Sequence, residues 1–287
     1  MRPTQLPSPQ SAGTALCCDV AAHATLRATA EGLSAIRQQL RPPGVDTPGS
    51  PLPASVLKHL DEQTVAALAA AYQAIEQHGL AQTCFAEWAV LAAPRFLGRT
   101  ALAHTLQRYA LEGAWGMSPH VIPHRTLHAV SGTLSLALQI HGPNFGIDGG
   151  PGGACQTLLA ALAMLSTDQV PGVWVVLTGW DREPIPERPR TPGVDTPGSP
   201  CENGHPHPAP VCGAVALALV ATRPGWTGPR LRLRPGTASR HNGQTNGRAP
   251  ALFSLEALLA TLGDGSRPLA RNGWRISGGG SVEITEN

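Results

Sequence analysis

The chain of 287 residues is 42% hydrophobic and 14% charged, with a formal net charge of +2. That is enough for a sizeable core in one large domain or two small ones. It excludes nucleic-acid binding as the main task, which needs a concentrated basic face. No run approaches the length that spans a bilayer, and the opening MRPTQLPSPQSAGTA lacks the apolar core of a signal peptide. A cytoplasmic protein without membrane insertion is expected. The six cysteines, at 17, 18, 84, 155, 201 and 212, form no CxxC and no paired metal-ligand spacing. They read as reduced thiols, with no metal and no cofactor expected.

In chain order, residues 1–13 are rich in Pro and Ser and are expected to be disordered. TALCCDV, Thr14 to Val20, reads as a first strand, and ATLRATAEGLSAIRQQ, from about Ala24 to Gln39, as a helix. Residues 41–53 are Pro-rich and are excluded from helix interiors and central strands. The nine residues PGVDTPGSP at 43–51 recur identically at 192–200. Two copies do not make a solenoid, and both read as surface-loop insertions, with identical docking segments as the alternative. Residues 56–78 predict one long helix whose face carries Val65, Leu68, Ala69, Tyr72 and Ile75, stopped by Gly79. Phe85 to Pro94 suits strand or helix equally. Arg99 to Gly113 reads as an amphipathic helix, Ser118 to His128 as a loop, and Thr126 to Ile140 as a helix with small residues Ala129, Ser131, Gly132 and Ser135.

The segment from Pro119 to Asp181 organises the rest. GGPGG, Gly149 to Gly153, leads straight into an apolar helix on which Cys155, Leu158, Leu159, Leu162 and Leu165 mark a buried face. Pro171 and Gly172 break it, and VWVVLT, Val173 to Thr178, is the β-branched run of a strand covered on both faces. A Pro-rich irregular stretch continues over Arg182 to Val211. Gly213 to Ala221 reads as a second buried strand and Leu231 to Pro235 as an edge strand. Ser239 to Arg248 reads as loop, Ser254 as the cap of a last helix LEALLATL, and the tail as short and polar. Helix, turn, helix and buried strand imply a layered α/β protein.

HAVSGTLSLALQIHGPNFGID, GGPGGAC, QTLLAALAML and VWVVLTGWD, in that order, resemble the N-terminal half of a β-ketoacyl synthase of the thiolase fold. The likeness extends to DEQTVAALAAAYQAIEQHGL upstream and CGAVALALVA downstream, and is nearest to short chain-length-factor-like members of the family. It implies an α/β half-thiolase fold with Pro-rich loop insertions. Residues 14–221 would be the ketosynthase N-terminal-like domain, with insertions at 41–53 and 184–211, and 222–287 a C-terminal extension with one helix. It also implies a role in fatty-acid or polyketide synthesis of the aryl-polyene type, with a full-length ketosynthase subunit and acyl carrier protein as partners.

In this family a Cys at a helix start is the nucleophile, where exposed amides and the helix dipole stabilise a thiolate. Cys155 matches through the apolar pattern downstream of it, QTLLAALAML. Counted from the Gly142–Pro143 turn, about four extra residues put Pro151 in its place. The two His motifs of the family's C-terminal half, resembling HGTGT and GHxxG, do not occur. His120, His124, His128 and His141 do not match them, and read as ordinary surface or core histidines; His124 and His128, at i and i+4, are a weak metal pair. The Gly cluster lacks the Lys and Ser/Thr of a phosphate-binding loop, so a tight turn explains it as well as an anion cradle does. The first expectation is therefore an accessory, non-catalytic subunit. The alternatives are an acyltransferase or condensing enzyme using Cys155 on carrier-bound thioesters, and a degenerate fold kept for interaction.

Overall fold

β1 (Leu16–Thr29) is the longest strand, and it runs antiparallel to β5 (Val211–Ala221) over almost its whole length. The computed structural model describes residues 15–40, 52–119, 121–147, 150, 152–184, 209–235, 252–262, 272–276 and 280–286. The expected disorder of residues 1–13, both PGVDTPGSP copies and most of the two insertions lie outside these residues. The helix expected from Ala24 starts later. Ala24 to Thr29 stay in the ladder because each has a β5 partner, from Ala24↔Ala216 to Thr29↔Val211. α1 (Ala30–Gln39) begins only where the Thr29 hydroxyl accepts from the Gly32 amide at 3.3 Å. Cross-strand pairing here overrides local helix preference.

The single helix expected over 56–78 is two, α2 (Ala54–His59) and α3 (Glu62–Gln77). Asp61 separates them. It takes the extended backbone of an N-cap, and its Oδ1 accepts from the Gln63 amide at 2.9 Å. α3 then buries five alanines, Ala66, Ala67, Ala70, Ala71 and Ala74, which let its axis lie close to the sheet.

β2 (Ala89–Arg95) settles the ambiguous segment as a strand. It pairs in parallel with β3 (Asn144–Gly146) and with β4 (Gly172–Trp180), and β4 pairs antiparallel with β5. The sheet continues through β6 (Pro229–Pro235), β7 (Asn272–Arg275) and β8 (Gly280–Glu286), in the order β3-β2-β4-β5-β1-β6-β8-β7. The tail, expected to be short and polar, contributes β7 and β8, with Trp274, Val282 and Ile284 buried.

Both faces of the sheet are covered. Val173, Val175 and Leu177 of β4 join α7 (Gly153–Ser166) and α8 (Leu255–Leu262), whereas Trp174 and Val176 join α3 and α6 (His128–Ala137). The strict alternation reflects the two-residue period of a strand. At the edge, a methyl on Gly146 would overlap the Leu127 carbonyl, so only Gly lets β3 pass this close to α6. Between β2 and α6 lie α4 (Arg99–Glu112), the 3-10 turn η1 (Gly113–Gly116) and α5 (Val121–Arg125); α5 falls within the stretch expected to be loop. On α7, Leu159 is 38% exposed rather than part of the buried face. Among the described residues, no helix is long and apolar enough to cross a membrane.

Candidate active site at the carboxyl ends of the parallel strands

α7 starts where the Gly150 carbonyl accepts from the Gly153 amide at 3.0 Å and Gly152 from Gln156 at 3.1 Å. Thr157 donates back to the Gly153 carbonyl at 2.7 Å and stiffens the first turn. Cys155 is the third helical residue. It is 4% exposed and packs in one apolar cluster with Leu158, Leu162, Leu91 and Val175. A cleft of about 180 Å³ opens beside the same helix start, lined by Ala93, Arg95, Ala154, Thr178, Ser254 and Glu256 among others. Ala154 is on its wall; Cys155 is not. Arg95 crosses to Glu256 at 2.9 Å. The hydroxyls are already engaged: Thr178 donates to Gln63 Oε1 at 2.9 Å, and Ser254 caps α8 by accepting from the Ala257 amide at 3.2 Å. Among the described residues, the cleft therefore offers paired charge and two hydroxyls already engaged elsewhere, with no thiol on its walls.

The histidines lie elsewhere. His124 is on α5, where its ring stacks 5.9 Å from His59, and His128 opens α6, so the two do not share a helix face. The Ser131 hydroxyl lies 3.3 Å from His128 Nδ1. α6 packs in the α3 layer, across the sheet from Cys155. His141 lines a surface hollow with Glu87, Asp168 and Pro171, at the opposite end of β2 and β4. His120 lies outside the described residues. Among the described residues, no group of three or more His, Cys, Asp or Glu is placed to hold a metal ion.

A second cavity, of about 380 Å³, lies on the α3 side of the same strand ends. Gln63, fully buried, positions it: its amide nitrogen donates to the Arg95 carbonyl at 2.8 Å while its oxygen takes the Thr178 hydroxyl. This clamps the start of α3 to the ends of β2 and β4. Asp61, 4% exposed, then faces the cavity and receives Arg125 Nη1 at 3.0 Å. Burial pushes its carboxyl up to about 6, with the Glu62 charge adding; the Gln63 amide, Arg125 and Arg37 pull it down and do not win. Sequence reasoning misses Asp61, although an Asp directly before a long apolar-periodic run is a helix-start signal. Arg125, Arg95 and Glu256 carry no local signal, since their partners are distant in the chain.

No family model and no curated protein matches the chain. Among solved structures, a ketosynthase in complex with its chain length factor from Xenorhabdus doucetiae is similar at 17% identity and a TM-score of 0.52, over 95% of this chain and 100% of that one. The fold is that of the ketosynthases. The thiolase-like layering expected from the central stretch is thereby borne out. The ishigamide ketosynthase/chain length factor is similar at 16% identity and a TM-score of 0.48, over 77% of this chain and 66% of that one. A type II polyketide synthase acyl-carrier protein in complex with its ketosynthase is similar at 16% and 0.45, where this chain spans 62% of the other's length. In this ketosynthase fold, Cys155 is at the helix start that the resemblance assigned to it, but turned toward the sheet.

Proposed function

We propose that the chain is an accessory, non-catalytic subunit that pairs with a complete ketosynthase. The complex elongates acyl chains held on acyl carrier protein, in cytoplasmic fatty-acid or polyketide synthesis of the aryl-polyene type. The observation that carries this reading is the seat of Cys155: a thiol 4% exposed among leucines and valines, with His124 and His128 in the layer across the sheet. A condensing centre needs groups that take up developing negative charge, and losing one such donor costs roughly a hundredfold or more. A complete ketosynthase supplies them. Support also comes from the fold, which tracks one chain of a ketosynthase–chain length factor complex along that chain's full length. Residues 14–221 are read as the ketosynthase N-terminal-like domain, to which 222–287 add β6, β7 and β8.

The surface suits such a partner. α7 presents Leu159 and Ala163 outward, and among the described residues β3 is the last strand of the sheet, carrying Phe145, half exposed. An open strand edge is a template on which a second chain can pair, and contiguous apolar surface marks interaction sites. Co-expression with the ketosynthase encoded nearest to it should give a stable 1:1 complex on size exclusion, burying on the order of 2,000 Å² or more. A well-behaved monomer that ignores every ketosynthase of its own genome would sink the proposal.

A further inference from the structure

The excursion from β2 to α6 begins and ends at one point. Gly98, at φ 64°, lies against Arg125: a methyl there would sit 2.9 Å from the Arg125 carbonyl oxygen and 3.0 Å from its Cβ. Residues 99–125 therefore leave the body and return to it through a single narrow base, as compact loop units do. Phe96, two positions earlier, holds φ 66°, a left-handed conformation that bulky L residues rarely keep unless the surroundings enforce it.

Packing does little to hold the excursion down. Among its described side chains α4 buries none, and the helix rests chiefly on η1 and α5. Ion pairs and a ring stack, His124 on His59 at 5.9 Å, hold it instead. Arg125 Nη1 meets Asp61 Oδ2 at 3.0 Å, and Arg99 Nη1 meets Glu183 Oε1 at 2.9 Å. Between these pairs lies the cavity of about 380 Å³, and its walls are sorted by sign. Arg99, His104 and Arg125 come from the excursion; Asp61 and Glu62 come from α3 and its cap, with Trp180 as an aromatic wall. An excursion held by apolar burial would not show this division.

We infer that residues 99–125 form a lid, hinged at Phe96–Gly98 and held shut over the cavity by the Arg125–Asp61 and Arg99–Glu183 ion pairs. Among the described residues, none from 99 to 125 belongs to the hydrophobic core, so opening loses no core burial there. It requires that the two pairs part and that His124 leave the His59 ring, after which water, or a ligand small enough for the cavity, reaches the buried Asp61. Salt weakens exposed ion pairs and leaves apolar packing unharmed, so salt probes the Arg99–Glu183 pair, whose side chains are 57% and 42% exposed, while substitution probes the buried Arg125–Asp61 pair.

The test is amide hydrogen exchange on the full-length chain near neutral pH, in about 0.05 M and about 0.5 M NaCl. Peptides covering α4 and α5 should exchange roughly two- to fivefold faster at the higher salt, while α3, β4 and β5 keep their rates. The double variant Asp61→Asn, Glu183→Gln should exceed the parent's high-salt lid rate already at low salt, because it removes both pairs while Asn still caps α3. If that variant does not fold, Arg125→Gln reads the same pair from the lid side. Lid amides indifferent to salt, lid amides unprotected at both salts, or variants that speed β4 and β5 as much as the lid, would each overturn the inference.

Discussion

Replacing Asp61 by Asn should change the pH dependence of stability in a direction opposite to the usual one for a carboxylate. Burial raises the folded-state value to about 6, against 3.8 for the free side chain. Between these values the folded protein keeps a proton that the unfolded chain has released. The group's contribution is therefore complete below pH 3.8 and is lost as pH rises through about 6. A gap of this size corresponds to roughly 3 kcal/mol. Asn does not titrate and still caps α3, so stability of the variant minus that of the parent should climb by roughly 3 kcal/mol across this window. Whatever Asn loses with Arg125 adds a fixed offset and leaves the climb unchanged. His23 acts in the other sense: burial lowers its value, aided by the His78 ring 4.8 Å away, so its contribution is lost as pH falls. It is common to both proteins and cancels in the difference. Urea unfolding at a series of pH values measures the quantity. A flat difference, or one that falls as pH rises, would mean that the Arg125 pair outweighs burial, and the reasoning would be wrong.

The packing sets two other outcomes. Incubated with an acyl-carrier-protein thioester, the chain should show no stoichiometric acyl adduct by intact mass, because Cys155 is turned into the core; an adduct that disappears in Cys155→Ser would restore the enzyme reading. Gly146→Ala forces a methyl onto the Leu127 carbonyl, which is backbone and cannot swing away. It should cost roughly 1–3 kcal/mol and lower the thermal midpoint by several degrees, and an unchanged midpoint would show that β3 does not lie so close to α6.

Much of the layer structure was legible because it rests on local pattern. VWVVLT and GAVALALVA have no polar side to show water, so they announce strands covered on both faces, and β4 and β5 are buried so. The helical period between Cys155 and Leu165 likewise marked α7. What the pattern did not contain were decisions made by distant partners. Ala24 to Thr29 extend β1 only because β5 lies alongside, and the tail becomes β8 only because β6 offers an edge. Asp61 and Arg125 are separated by 64 positions, so nothing near either predicts their pairing. Leu159 shows that periodicity finds the buried face but not how wide a stripe the neighbours cover. The site turned on the finest of these decisions. Local pattern is enough to stand a cysteine at a helix start. Its orientation comes from tertiary packing, since neighbouring helical positions differ by about 100° around the axis: Ala154 faces the cleft and Cys155 the sheet.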